Sequence, residues 1–336
     1  MLSLALLFFS QTSYSAQDGP YFPSHRFPTD RSFHIGYQFG YLKSSGNFDD
    51  LGEKVALASG SSITRTRHTV SPEYQPSRQF NFGAFLNFDG VKLSDEAGVS
   101  TSKNSFSDQV LWGEYRFFDI PGASVGIASV VKFPLYGNPT VQDLPTSATT
   151  NNSVVLLGDA QTDISILSTA ELWPNDTFRI RANFGYTYRS DSYAAELPYL
   201  FSLGFVTQKV DFSLNVKGNF SLGNDSLAVS DPSAAANAQA VKNAFGGSNY
   251  ALSENPSLSV LALKGELWFD PRWGVQSEFN FPIKGTNAIH FWNLAFGIVY
   301  RWAETDQVRK RTAREVDITV DQEKGQFEGE SEDEFF

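Results

Sequence analysis

Residues 177–189 constrain the fold most strongly. Phe178, Ile180, Ala182, Phe184, Tyr186 and Tyr188 take every second position, and Thr177, Arg179, Arg181, Asn183, Gly185, Thr187 and Arg189 fill the places between them. In an extended strand successive side chains point to opposite faces, so this segment has one apolar face and one face bearing guanidinium groups. Burying such a row in a dry core would be prohibitive, whereas a lumen reached by water accommodates it.

The pattern recurs along the chain. Phe33, Ile35, Tyr37, Phe39 and Tyr41 alternate with His34, Gly36, Gln38 and Gly40. Phe80, Phe82, Ala84, Leu86 and Phe88 alternate with Asn81, Gly83 and Asn87, Phe85 being the exception. Val210 to Phe220 sets apolar residues against Asp211, Ser213, Asn215, Lys217 and Asn219. These stretches run for roughly ten to thirteen residues, the length of a tilted membrane strand. Beyond the first ten residues no run approaches the ~18 apolar residues of a membrane helix. The 30 Phe and 13 Tyr against one Met also favour pleated strands.

Alternation is shared by soluble sandwiches, and the connections separate the two. Turn-like links fall at 75–77, 119–122, 174–176, 207–209 and 270–272, and more variable links at 44–60, 90–106, 136–159, 190–195, 223–256 and 285–287. Five turns and six loops join twelve strands, predicting a transmembrane antiparallel β-barrel with both ends on the periplasmic side. In the second strand, about 61–74, Arg65, Arg67 and Thr69 are expected to face inward and Thr64, Thr66, His68 and Val70 outward. Trp173, Trp268, Trp273 and Trp302 lie at strand ends beside the turns, as interfacial residues of one membrane rim would. Tyr41, Phe88, Tyr188, Tyr199, Phe220 and Phe291 are expected in the opposite girdle.

The ends differ from the middle. Residues 1–16 read as a signal peptide, with apolar Leu2 to Phe9 ahead of small residues Ser13, Ser15 and Ala16. Residues 17–32, with Pro20, Pro23 and Pro28, read as a short periplasmic arm, 33–302 as the barrel, and 303–336 as a charged, disordered periplasmic tail. That tail holds eleven Asp/Glu and five Lys/Arg, over half of the net charge of −11. No basic nucleic-acid footprint is present, and without Cys there is no thiol nucleophile or disulfide framework.

The expected lumenal face bears Glu114, Arg116, Lys132, Asp163, Glu171, Arg179, Arg181, Arg189, Asp211, Lys217, Lys264, Glu266 and Glu278. Both signs occur in comparable number, so the lining either conducts small polar solutes or closes as a salt-bridged network. Arg179 and Arg181 are the foremost candidates for anion contact, because Arg is a permanent bidentate donor. The loop 223–256, with its Ala-rich stretch Ala234 to Ala244, is a candidate short helix over the mouth.

No G-x-S-x-G elbow, H-E-x-x-H helix or Walker loop occurs. The His-x-Ser-Asn-Gly segment of outer-membrane phospholipases is missing too, and the four His, at 25, 34, 68 and 290, are scattered. No catalytic residue, cofactor or metal site is expected.

Two resemblances add to this reading. Gly297-Ile298-Val299-Tyr300-Arg301-Trp302 resembles the β-signal read by the barrel-assembly machinery, a glycine with aromatics at plus three and plus five, with Ala295 where a polar residue is usual and a tail where the chain normally ends. It implies that machinery as a partner, with Gly297, Tyr300 and Trp302 as the signal. Leu157-Gly158-Asp159-Ala160-Gln161-Thr162-Asp163, together with Tyr186 to Arg189, resembles putative transporters grouped with the MetA-pathway of phenol degradation proteins, distant relatives of fatty-acid porins. The resemblance implies an outer-membrane channel passing small molecules passively, its partners being outer-membrane lipid and a small permeant. The arm 17–32 is shorter than the plug of a fatty-acid porin. A closed structural or adhesin-type barrel, binding a partner through its loops or tail, is the alternative.

Overall fold

The computed structural model describes residues 31–303 except 121, 138–154, 156, 191–192, 208, 225, 227–232, 234–235 and 237–256. The expectations for a signal peptide, an arm and a tail lie outside the described residues, as does almost all of the Ala-rich stretch. Among the described residues no helix is long and apolar enough to cross a membrane.

Fourteen strands form one antiparallel sheet. They are β1 (Ser32–Phe48), β2 (Lys54–Ala56), β3 (Ser62–Gln75), β4 (Phe80–Ser94), β5 (Ser100–Phe106), β6 (Asp108–Ile120), β7 (Ala123–Pro134), β8 (Asp163–Leu172), β9 (Phe178–Arg189), β10 (Glu196–Val206), β11 (Val210–Ser221), β12 (Ser257–Trp268), β13 (Trp273–Thr286) and β14 (Ile289–Ala303). The sheet closes where β14 pairs with β1, from Ser32↔Ala303 to Asn47↔Ile289. Twelve strands make the wall. β2 only extends the end of β1, and β5 continues the line of β6, pairing with β4 from Phe88↔Phe106 to Ser94↔Ser100 while β6 pairs with its first half.

Two expected loops are thus largely β-ribbon. In 44–60, β1 runs on to Phe48 and turns back through β2, and 90–106 is a hairpin of β4 and β5. A ladder needs only backbone pairing, so these ribbons carry on where the apolar outward face has ended.

Parity is preserved almost throughout. Phe39, Leu86, Ile127, Ile166, Phe184, Phe201, Leu203, Phe296 and Ile298 are exposed on the outside, and Arg65, Arg67 and Thr69 are buried inside. Near the turn rim, where the barrel begins and ends, outward aromatics pair across strands: Phe80 with Tyr115 at 4.8 Å, Trp273 with Tyr300 at 4.9 Å and Phe178 with Phe205 at 5.8 Å between ring centroids. At the loop rim Tyr41 meets Trp292 at 5.6 Å and Tyr199 stacks on Phe220 at 4.9 Å.

Two aromatic expectations are corrected. Phe291 is not in the girdle: it is buried inside the loop end of the barrel with Leu42, Val91, Leu258, Val260 and Ile289. Trp292 takes the outward place beside it. Trp268 faces inward, under the Arg301 guanidinium at 4.3 Å, because the parity that turns Lys264 and Glu266 inward turns Trp268 inward too.

Candidate functional site

The interior is layered. Towards the turn rim His34 Nδ1 lies 3.7 Å from Glu73 Oε2. Around the middle, Arg116 donates to Glu114 at 2.8 Å, Lys217 to Glu278 at 2.9 Å, and Lys264 lies 3.4 Å from Glu266. Arg179 grips Asp211 with two bonds of 2.9 and 3.1 Å. Gly204, opposite Arg179 in the β9–β10 register, leaves room for that guanidinium: a Cβ there would lie 3.1 Å from Arg179 Nε. Arg67 holds Asp89 by bonds of 2.7 and 2.6 Å. An apolar cluster that includes Phe85, the exception in its strand, and Trp112 also faces inward, across β4, β6, β7 and β8.

Near the loop rim the chain enters its own barrel. Val155 and Leu157 are fully buried in the apolar cluster with Leu42, Ile63, Val91, Leu93, Leu258, Val260, Ile289 and Phe291. Asp159 then reaches the charged layer, accepting from Lys132 at 2.7 and 2.8 Å and from Arg189 at 2.9 Å. Lys132 also meets Asp163 at 2.7 Å, and Arg189 meets Glu196 at 2.7 Å. Burial pushes the Asp159 carboxyl up, but Lys132 and Arg189 outweigh it and hold it below its ordinary value. Arg65 donates to the Leu157 carbonyl at 3.4 Å, and the Tyr136 hydroxyl bridges Ala160 N–H at 3.0 Å and Asp108 at 2.9 Å. Ala160 sits at φ 54°, a left-handed turn that aims Asp159 inward.

All thirteen expected lumenal residues lie on the inner face. Twelve are buried and Glu171 is half-buried, its Oε1 accepting from Trp173 Nε1 at 2.8 Å. Lys132, Asp163 and Arg189 come together in one cluster. Arg179 is committed to Asp211, whereas Arg181 donates from Nε to Asn183 Oδ1 at 3.0 Å. Sequence reasoning did not single out Asp108, Tyr136, Glu196 or Asn183. Asp108 and Glu196 stand at the first positions of their strands, where no alternation precedes them to give their parity. Gly297, where a Cβ would strike the Tyr37 carbonyl, Tyr300, its ring tilted against Trp273, and Trp302, exposed, lie along the β14 half of the closing seam.

The sequence matches no family model and no curated protein. In structure, the chain is similar to an outer-membrane channel from Pseudomonas putida F1, at 9% identity and a TM-score of 0.59, covering 87% of this chain and 100% of that one. The NanC porin (10% identity, TM-score 0.45, 79% and 98% covered) and the KdgM porin solved with disordered oligogalacturonate (5%, 0.43, 80% and 98%) also match. A closed barrel with an apolar outer face and charged inner face is stable in only one surrounding, a lipid bilayer. The chain is a twelve-stranded antiparallel membrane β-barrel with the fold of a bacterial outer-membrane channel.

Proposed function

We propose that the protein is an outer-membrane channel for small molecules, held closed by its own residues 155 and 157–161. The observation that carries this reading is the insertion of that segment into the barrel, with Val155 and Leu157 in the apolar layer and Asp159 on Lys132 and Arg189. A chain segment held in its own lumen by ion pairs is what a gated pathway requires. The inserted segment includes most of the stretch that resembles the MetA-pathway transporters, which supports the transporter reading. Passage is passive, since nothing in the reading requires an energy source, and selectivity rests on the charged layer beneath the plug.

Asp159→Asn tests the gate. Lys132 keeps Asp163 and Arg189 keeps Glu196, so the wall stays paired while the segment loses its anchor. Single-channel recording in planar bilayers is expected to show discrete ohmic steps, with the variant open for a larger fraction of the time. Silence from both folded proteins would favour the second reading, a closed barrel presenting its loops to a partner, which draws on the same closed, ion-paired interior.

A further inference from the structure

We infer that Arg181 and Asn183 form a carboxylate-binding site in the wall of the lumen, for a small organic acid with an apolar body. Among the described residues nine Lys and Arg side chains are buried, and eight of them have a carboxylate oxygen within 4.0 Å. Arg181 is the ninth. Its polar contact is the bond from Nε to Asn183 Oδ1 at 3.0 Å.

That bond also orients the amide. With Oδ1 taken, Asn183 presents Nδ2 as a donor, and this buried group has no partner. Asn183 is 2% exposed and Arg181 6%. A guanidinium edge and a buried amide donor therefore stand together on one strand, and the unpartnered amide is costly unless an acceptor visits it. A planar carboxylate offers two oxygens to such a fork.

Glu114 and Glu171 attract Arg181 through space, but both make their hydrogen bonds to other groups. Glu171 stands across the β8–β9 ladder from Arg181 but accepts from Trp173 at 2.8 Å instead. Glu114 takes Arg116 at 2.8 Å and Thr169 at 2.8 Å.

The neighbourhood sets the class of acid. Thr169 faces Asn183 across the ladder, and the next inward residue towards the loop rim is Leu167, beside Gly185. A Cβ on Gly185 would come within 2.7 Å of Leu167, so glycine there keeps the Leu167 side chain in place. Leu167 belongs to the inward apolar cluster with Ala128, Val130 and Trp112. The donors thus border an apolar wall, which suits a carboxylate with a hydrocarbon body over a compact inorganic ion. The site rests on the proposed channel only for its place in transport, not for its binding.

Benzoate and its neutral isostere benzamide probe the site, by ligand-observed NMR on folded protein in detergent. Benzoate is expected to bind saturably, benzamide not, and Arg181→Gln to weaken benzoate by about tenfold or more. Asn183→Asp guards against misfolding: it gives Arg181 an internal carboxylate, so the barrel should fold and keep its heat-modifiable band while losing benzoate. Wild type that binds no benzoate, benzamide bound as well as benzoate, or benzoate binding unaltered in both variants overturns the site. Planar-bilayer recording of these preparations with Asp159→Asn beside them separates the two readings, because conduction without benzoate binding overturns the site alone, and benzoate binding with silence from wild type and Asp159→Asn alike overturns the channel alone.

Discussion

The side-chain amide of Gln109 closes a gap in the barrel wall at Asn87: its Oε1 accepts the Asn87 N–H at 2.9 Å and its Nε2 donates to the Asn87 carbonyl at 2.9 Å. The gap lies where β4 changes partner from β6 to β5, around Ser107, and neither ladder gives Asn87 a paired residue there. Gln109→Ala leaves the carbonyl its bond from Ser107 N–H at 3.1 Å but orphans the buried N–H. The expected cost is about 1–3 kcal/mol, read as a lower urea midpoint for unfolding from lipid vesicles. An unchanged midpoint would mean that the wall tolerates the gap.

The Arg67–Asp89 pair is buried on both sides. Arg67→Met strands most of the Asp89 charge and is expected to cost about 3–5 kcal/mol, whereas adding Asp89→Leu should recover most of that loss. Equilibrium unfolding of the two single variants and the double variant closes the cycle. A double variant as unstable as Arg67→Met would show that the pair itself, and not the stranded carboxylate, carries the energy.

Depth in the bilayer grades the outer face. Ile166, exposed midway along β8, should tolerate Arg poorly, at about 2–4 kcal/mol, while Phe178 at the turn rim should lose only about 0–1 kcal/mol. Equal losses at the two positions would count against the placement of the membrane.

The left-handed turn at Ala160 is a local lever on the inserted segment. Ala160→Val puts a β-branched residue at φ 54°, and Tyr136→Phe removes the acceptor of the Ala160 N–H. Both are expected to raise amide hydrogen exchange across 157–161 while leaving β8 and β9 protected, with valine the stronger. Protection of 157–161 unchanged in both would remove the turn as a constraint.

The wall was legible in the sequence because its two faces differ chemically wherever lipid lies outside and charge inside. Arg179, Arg181 and Arg189 fix the parity of β9 without help from any neighbour. The signal fails where the inner face turns apolar. Ile289 and Phe291 look as greasy as the outward Trp292, so no chemical contrast separates lumen from lipid at that end. The site was legible in half. A list of inward charges follows from parity, but which cation keeps a free edge depends on cross-strand distances: Arg179 and Arg181 are equivalent in sequence, and only the fold gives Asp211 to one and Asn183 to the other. Asp159 lies outside any strand, so no periodicity could have placed it on Lys132.

The seam between β1 and β14 joins the first described strand to the last. Until β14 docks, every partial product of folding is an open sheet with two bare edges, able to pair with another chain as readily as with itself. Removing one terminal strand would therefore not give a slightly narrower barrel but a sheet that never closes, and the yield of folded protein should fall as chain concentration rises.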